Sequence, residues 1–202
     1  MIEMGSRKTL VVSSPDRDMI VSLNEAAIQI SGEQVRIGQM EFKLEGARIL
    51  DTSIPNGFRE FTVDTGTPII VRIPKHRLKE YEIAPAHDYD YVYWRKEYTP
   101  TPFIKQLEEN LIKKYGEFSG TETDETPIFE KVRFLKQVAV PFRMNQRETT
   151  VIGTLWEFLL RALDNRKRDM LQFALDTGFG EMNSLGFGFM NMRTGNLEGA
   201  SN

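Results

Sequence analysis

Apolar positions in the first part of the chain predict a strand, a helix and a second strand. Residues 9–14, TLVVSS, form a short run of β-prone residues. Four apolar residues then recur at spacings of three or four positions, as on one face of a helix: Ile20, Leu23, Ala27 and Ile30. Ser14 and Pro15 are suited to start this helix, and Gly32 is suited to end it.

The second strand, residues 35–44, changes its apolar side part-way along. Val35 and Ile37 occupy odd positions, whereas the apolar residues after Gly38 occupy even ones: Met40, Phe42 and Leu44. Successive side chains of a strand point to opposite faces, so this change of parity predicts a β-bulge at Gly38.

A longer pattern begins near residue 58. Two β runs flank the turn-like segment DTGTP, with apolar residues at alternate positions: Phe61 and Val63, then Ile69, Val71 and Ile73. Thr101 and Pro102 open a helix that Gly116 should end, and its apolar face consists of Ile104, Leu107, Leu111 and Tyr115. Glu109 and Lys113 are spaced for an i, i+4 ion pair.

The remaining pattern adds a strand, then a segment that fits a strand or a helix, then a helix and a last strand. Residues 131–144 alternate between apolar even positions and a basic odd face, and Pro141 places this strand at a sheet edge because proline has no N–H to donate. The segment TTVIGTLWEFLLRA fits a buried strand or a helix, and a strand is favoured. A helix capped at Asn165 and ended by Gly178 follows. The last strand has three apolar residues on one face: Leu185, Phe187 and Phe189.

Residues 58–193 therefore run β, α, β, β, α, β. This order is typical of the ferredoxin-like motif, in which two helices cover one face of a four-stranded antiparallel sheet. The fold class predicted from the pattern is α+β.

Composition narrows the chemistry. The chain of 202 residues has no cysteine and two histidines, which excludes disulfides and thiolate metal sites and disfavours a histidine-based zinc site. No cofactor is expected. No run approaches the roughly 18 apolar residues of a membrane span, so we expect a cytoplasmic protein without a membrane partner. The net charge of −3 argues neither for nor against nucleic-acid binding, because phosphate binding depends on local patches of positive charge rather than on the total.

The segment DTGFGEMNSLGFGFMNMR, residues 176–193, holds four glycines: Gly178, Gly180, Gly186 and Gly188. Glycine is costly to order, so such a group indicates unusual backbone or close approach to a partner. A dinucleotide-binding G-x-G-x-x-G would need glycine where the chain has Asn183, and it would follow a strand and open a helix. Here a helix precedes the glycines and a strand follows, which disfavours a nucleotide cofactor.

The spacing G-x-G, five residues, G-x-G between a helix and a strand resembles the C-terminal glycine-rich loop of the CRISPR-associated repeat-RNA endoribonucleases, the Cas six family of the RAMP superfamily. Three upstream segments are also similar to that family: FIKQLEENLIKKYGEF, FEKVRFLKQVAVPF and TTVIGTLWEFLLRA. The resemblance implies tandem ferredoxin-like domains that bind CRISPR repeat RNA and cut it without metal, using a ribose 2′-hydroxyl. It also strengthens the prediction of a strand over 149–162.

On this basis the chain is predicted to have two domains. Residues 1–55 would form a partial N-terminal ferredoxin-like domain with the order β-α-β. The family's first domain opens with another β-α-β unit, which carries the catalytic segment, and we expect that opening unit to be absent. Residues 56–202 would form a complete C-terminal domain with the glycine-rich loop at 178–188. Because the first domain would lack a strand, we expect a second copy of the chain to complete its sheet in a homodimer, or residues 1–50 to be poorly protected.

Two sets of residues are predicted to bind RNA. The loop set follows from the resemblance: Gly178, Phe179, Gly180, Asn183, Ser184, Gly186, Phe187 and Gly188. Gly186 and Gly188 would leave backbone open on one face of the last strand. The basic set lies in a stretch without acidic residues and suits a phosphate backbone: Lys131, Arg133, Lys136, Arg143 and Arg147. The alternatives are a tight helix-to-strand connection for the glycines and a solvated strand face for the basic residues.

Other candidates are weaker. The aromatic residues of HDYDYVYWRK, among them Tyr89, Tyr91 and Trp94, could stack on unpaired bases, but packing against a domain is favoured. The family's general base is usually a histidine early in the first domain. His76 and His87 match no such position and are interpreted as surface or packing residues, so the catalytic residues are unassigned.

Three functions remain open at the level of sequence. The first is a repeat-RNA-processing endoribonuclease, with CRISPR effector complex proteins as further partners. The second is a non-catalytic RAMP module that binds RNA without cutting it. The third is an interaction protein that self-associates through ferredoxin-like sheets.

Overall fold

The computed structural model describes residues 5–50, 52–54, 60–85, 87–121, 127–144, 147–161 and 164–193, with the backbone alone for residues 143, 144 and 147. The chain divides into two compact units, Met1–Asp51 and Thr52–Asn202. The predicted domain boundary between residues 55 and 56 falls outside the described residues. No helix in the described ranges is long and apolar enough to cross a membrane.

The first unit consists of a helix and a hairpin: α1 (Arg17–Gln29), β1 (Gln34–Ile37) and β2 (Met40–Lys43). The Asp16 carboxylate caps α1 by accepting from the Met19 N–H at 3.0 Å, so the helix begins after Asp16 rather than at Ser14 and Pro15. β1 and β2 pair antiparallel around a two-residue turn that contains Gly38 at a φ of +60°. The predicted bulge is therefore wrong, because the change of parity marks a reversal of the chain.

The strand predicted over residues 9–14 is also wrong. The structure assigns no strand to this described stretch, and Leu10 is 81% exposed. A β-prone run becomes a strand only when a neighbouring strand bonds its N–H and C=O groups. No described residue between 5 and 50 is buried, so the first unit has no closed apolar core of its own.

The described part of the second unit contains nine regular elements, in chain order β3 (Glu60–Thr65), β4 (Arg72–Pro74), α2 (Lys75–Leu78), β5 (Tyr91–Tyr93), α3 (Pro100–Ser119), β6 (Phe129–Met144), β7 (Arg147–Arg161), α4 (Asn165–Thr177) and β8 (Met190–Arg193). A short 3-10 turn, Asn183–Leu185, precedes β8. The segment TTVIGTLWEFLLRA is a strand, as predicted.

The main sheet of this unit has the strand order β6-β7-β3-β8, with each neighbouring pair antiparallel. Numbered within the β-α-β-β-α-β run, that order is 2-3-1-4, the ferredoxin-like arrangement read from the opposite edge. β6 is an edge strand, which confirms the inference from Pro141. β4 and β5 form a separate two-stranded sheet, which the sequence pattern did not predict as a pair.

α3 and α4 share one core with the main sheet. Buried side chains from both helices and from β3, β6 and β7 belong to a single cluster, among them Leu107, Leu111, Leu171, Val63 and Phe158. Phe103 of α3 stacks on Trp156 of β7 with 4.3 Å between ring centroids, and Trp94 packs against both rings. Trp94 therefore packs in the core, as favoured, whereas Tyr89 and Tyr91 are exposed.

Three details of the helices differ from the sequence prediction. α3 continues through Gly116 and ends at Gly120, whose φ of +67° is the left-handed value that favours glycine. α4 is capped by Asp164 rather than Asn165. Glu109 pairs with Arg77 and not with Lys113.

Hydrogen exchange should separate the two units. We expect amides of α1 and the β1–β2 hairpin to exchange at least tenfold faster than those of β7 and α4, because the first unit buries no described residue while the second has a closed core. Mass spectrometry of peptides from quenched samples measures this. Equal protection of the two units in a monomeric sample would contradict the expectation.

Candidate nucleic-acid interface

The glycine-rich loop, residues 178–188, begins where α4 ends at Gly178 with a φ of +85°. Two residues later Gly180 crosses the segment before β4. A Cβ on Gly180 would lie 2.6 Å from the Ile70 carbonyl oxygen, so only glycine fits there. The Glu181 N–H then donates to the same Ile70 oxygen at 3.0 Å. The first half of the loop is thus fixed against the backbone of the chain.

The second half of the loop closes onto the first. The Phe179 N–H donates to the Gly188 carbonyl at 2.9 Å, and a Cβ on Gly188 would lie 2.0 Å from the Phe179 oxygen. The Asn183 amide joins the halves by donating to the Phe179 and Phe187 carbonyls at 3.1 and 3.0 Å. Close approach is the reason for Gly180 and Gly188, and what approaches is the protein itself.

Several loop predictions are corrected by this geometry. The last strand begins at Met190, so Gly186 and Gly188 do not share a strand face. Gly188 is buried, whereas Gly186 is exposed at a φ of +87°, and a Cβ added there would meet no atom within 4 Å. Phe179 and Phe187 are 2% and 9% exposed, so their rings pack inside and cannot stack on RNA bases. Ser184 and Gly186 are the exposed members of the predicted loop set.

Lys114, on the last turns of α3, reaches the centre of this loop. Its ammonium donates to the carbonyls of Gly178 and Gly180 at 3.0 and 3.1 Å and to Asn183 Oδ1 at 3.0 Å. Burial lowers the pKa of Lys114 to about 8, and the Glu181 carboxylate opposes that shift. Sequence analysis missed this residue, because a lysine near a helix C-terminus is ordinarily a solvated charge.

Arg72 of β4 holds the loop from another side. Two nitrogens of its guanidinium, Nε and Nη2, contact Glu181 Oε2, and its backbone N–H donates to Glu181 Oε1 at 2.9 Å. The guanidinium also lies 4.9 Å from the ring centroid of Tyr91. The loop therefore has fixed contacts with α3, with β4 and with the segment that joins β3 to β4.

Three consecutive backbone N–H groups in the middle of the loop have no acceptor among the described residues: those of Met182, Asn183 and Ser184. Met182 has a φ of +61°, which starts the 3-10 turn in a left-handed conformation. Successive N–H groups in such a turn form a concave donor surface that suits an anion. This part of the loop, rather than the glycines themselves, offers donors to a ligand.

The basic residues of β6 lie on the face of the main sheet opposite the helices, called here the outer face. Lys131, Arg133 and Lys136 are aligned with Leu159, Glu157 and Leu155 of β7, which alternate with the core residues Phe158 and Trp156. An extra residue between Phe134 and Lys136 shifts the register. Without that bulge, Lys136 would point to the core side.

The same bulge moves the apolar residues beyond it to the outer face. Val138, Val140 and Phe142 were predicted on one side with Val132 and Phe134, and this single apolar face is wrong. Val140 and Phe142 instead pack around a second cluster that contains Ile70, Val151 and Phe187. The outer face thus has a basic half and an apolar half, and the glycine-rich loop covers the apolar half through Phe187.

Charges alternate across the basic half of the outer face. Arg133 pairs with Glu157 at 2.9 Å, Glu157 also pairs with Arg193 at 3.1 Å, and Arg193 pairs with Asp64 at 3.2 Å. Lys131 and Lys136 are exposed and form no ion pair with any described residue. The side chains of Arg143 and Arg147 lie outside the described residues.

The histidines lie elsewhere. His76 is exposed on α2, and His87 is exposed before β5, where its ring contacts Tyr89 with 5.8 Å between centroids. Across the described ranges, no group of three or more histidine, aspartate or glutamate side chains could hold a metal ion.

The fold and the loop agree with a comparison against known families. The model of the CRISPR associated protein Cas6, C-terminal, matches residues 53–192, which is more than half of the chain. The chain belongs to the Cas6 family. The CRISPR-associated endoribonuclease Cas6 of Haloferax mediterranei is 30% identical over 198 residues, covering 95% of this Cas6-family chain and 72% of that protein. The family places the chain in the endoribonuclease class.

Two solved structures share the α+β fold. One, CRISPR associated protein Cas6, has a TM-score of 0.61 at 24% identity and covers 89% of this chain and 65% of that chain. The other, an RAMP protein binding different RNA substrates, has a TM-score of 0.61 at 20% identity and covers 90% of this chain and 66% of that chain. This Cas6-family chain therefore spans slightly less than two thirds of either solved protein.

Alanine substitutions at two loop glycines should have very different effects. Gly188→Ala places a Cβ against the Phe179 carbonyl and should prevent soluble folding or lower the unfolding free energy by about 3 kcal/mol or more. Gly186→Ala strains the backbone in open space and should cost about 1 kcal/mol. Urea unfolding followed by circular dichroism measures both. Equal losses would show that the loop is not closed as described.

Proposed function

We propose that this Cas6-family chain binds CRISPR repeat RNA across the glycine-rich loop and the basic half of the outer face. The observation that carries the proposal is that both features occupy one face of the main sheet. Phe187 of the loop packs on the apolar half of that face, and Lys136 follows immediately beyond it along β6. The likeness to an RAMP protein that binds different RNA substrates supports the same class of ligand.

The two features supply different contacts to RNA. Lys131 and Lys136 are exposed, carry no partner within the described residues and attract the phosphate backbone over long range. The free N–H groups of Met182, Asn183 and Ser184 give short directional hydrogen bonds to phosphate oxygens, which fix the position of the strand. Tyr89 and Tyr91 are exposed and offer ring faces to unpaired bases, and Tyr91 lies beside Arg72.

Cleavage is proposed to follow the chemistry of the family, without a metal ion. A general base removes the proton of a ribose 2′-hydroxyl, and that oxygen attacks the adjacent phosphorus. The bond to the 5′ oxygen breaks, leaving a cyclic phosphate and a 5′-hydroxyl that takes up a proton. The base needs a pKa near neutrality, and no described residue of this chain is assigned to that role.

A second candidate function is RNA binding without cleavage. The observation that favours it is the position of the two histidines, which lie on α2 and before β5 rather than at the loop or on the basic half of the outer face. Binding and cutting are therefore tested separately.

The remaining proposals concern the domains and partners. We propose tandem ferredoxin-like domains, with residues 1–55 a partial first domain and residues 56–202 the second. The β1–β2 hairpin pairs with no other described strand, and its unpaired edges support completion of its sheet by a second copy in a homodimer. CRISPR effector complex proteins are further proposed partners, in the cytoplasm. Sedimentation equilibrium tests the homodimer, and a monomer at every concentration would exclude it.

The binding site is tested by salt dependence. Lys131→Gln combined with Lys136→Gln should reduce the slope of log affinity against log salt by about 1.4, because each phosphate contact on single-stranded RNA releases about 0.7 counterion. Filter binding with labelled repeat RNA at several salt concentrations measures the slope. Lys79→Gln, directly after α2, combined with Lys113→Gln, on α3, removes the same charge and should leave the slope unchanged. A similar reduction in both pairs would remove the outer face from the site.

Cleavage is tested in the presence of a chelator. This chain alone should cut end-labelled repeat RNA slowly or not at all, because neither histidine lies on the glycine-rich loop or on the basic half of the outer face. Denaturing gel electrophoresis detects the products. Rapid cutting at one position would contradict the expectation and would support the first function over the second, and its loss in His76→Ala would identify that residue as the base.

A further inference from the structure

The amine of Lys114 contacts the glycine-rich loop from α3. Three acceptors surround it at 3.0 to 3.1 Å: the carbonyls of Gly178 and Gly180 and the Oδ1 atom of Asn183. An ammonium group has three N–H donors, so donors and acceptors match in number. Lys113, the preceding residue, instead has a side chain that is 77% exposed.

The three acceptors belong to groups that are also fixed at their other end. The peptide between Gly178 and Phe179 directs its carbonyl to Lys114 and its N–H to Gly188, at 2.9 Å. The peptide between Gly180 and Glu181 directs its carbonyl to Lys114 and its N–H to Ile70, at 3.0 Å. Lys114 therefore orients two peptide planes, Gly178–Phe179 and Gly180–Glu181, in the part of the loop that precedes Met182.

The third acceptor extends this control to the other side of the loop. Asn183 accepts from Lys114 through Oδ1 and donates through Nδ2 to the carbonyls of Phe179 and Phe187. Asn183 is itself one of the three residues whose backbone N–H groups are free for a ligand. The half-buried Lys114 side chain thus holds the loop segment that carries the free N–H groups from both sides.

We propose that Lys114 is a positioning residue for RNA binding, which it supports by holding the glycine-rich loop in the conformation that presents the N–H groups of residues 182–184. The inference rests on the proposed function, because it assigns RNA to that part of the loop. Lys114 itself contacts no phosphate in this scheme. Its loss should weaken binding without changing the number of counterions released.

The protonation of Lys114 gives this role a distinctive pH dependence. Burial lowers its pKa to about 8, while Glu181, which is itself paired with Arg72, favours the charged form. As pH rises through that pKa, the ammonium group loses a proton and keeps two N–H donors for three acceptors. One acceptor then faces the lone pair of the amine nitrogen. If only the ammonium form holds the loop, affinity should fall about threefold between pH 6.5 and 8.5.

The experiment compares wild type, Lys114→Met and the control Lys113→Met, which removes the same charge from the next position of α3. Lys114→Met should weaken binding of repeat RNA about tenfold at pH 7, the effect of losing hydrogen bonds to a charged group, with the salt slope unchanged. Its affinity should not vary between pH 6.5 and 8.5. Lys113→Met should bind within about twofold of wild type and keep the wild-type pH profile.

Hydrogen exchange of peptides that span residues 178–188, without RNA, tests the positioning itself. Exchange there should be faster in Lys114→Met than in wild type, with the core strand β7 unchanged, and Lys113→Met should match wild type. Unchanged loop exchange, or RNA binding equal to wild type in Lys114→Met, would overturn the inference and leave the proposed function standing. A reduced salt slope in Lys114→Met would instead make Lys114 a direct phosphate contact and also overturn it.

Two further outcomes separate this inference from the function on which it rests. A wild-type protein that binds no repeat RNA at low salt removes the proposed function, and the inference with it. If Lys114→Met does not fold, the wild-type pH profile decides. An affinity that stays constant from pH 6.5 to 8.5 in both wild type and Lys113→Met overturns the role of Lys114, and a fall in both supports it.

Discussion

The architecture of the candidate site depends on backbone contacts that only glycine permits. Gly188 meets the Phe179 carbonyl, and Gly180 meets the Ile70 carbonyl, at distances that leave no room for a Cβ atom. The carbonyl oxygens of Gly178 and Gly180 in the same loop both accept from Lys114, whose ammonium group compensates their negative potential. A loop of this kind is rigid because its own polar groups are mutually satisfied, and it can therefore present a small remainder of free N–H groups in a fixed position.

The main sheet places that loop beside positive charge. Its inner face packs against α3 and α4, whereas its outer face is divided between basic residues and an apolar patch. The division comes from one bulge in β6, after which the strand's apolar residues face outward and are covered by Phe187 and Ile70. The loop is thus attached to the sheet by ordinary apolar packing at the point where the lysines end.

Sequence patterns were sufficient for the order of the four main-sheet strands and of α3 and α4, because strand alternation, helical spacing and the single proline of β6 are local signals. They failed where the outcome depends on a distant partner. Residues 9–14 have β propensity but form no strand, and the parity of β6 changes at an inserted residue that periodicity alone does not mark. The loop glycines were recognised from their spacing, but the packing of the loop and the role of Lys114 depend on contacts between residues more than sixty positions apart.

The ion pairs that cross the outer face have a consequence for anion binding. Glu157 is shared by Arg133 and Arg193, and Arg193 is in turn shared with Asp64. If Arg133 turns away from the sheet toward an incoming anion, Glu157 stays paired with Arg193. No carboxylate is then left without a cationic partner. Arg133 can therefore exchange Glu157 for an anion, and this exchange requires no rearrangement of the strands.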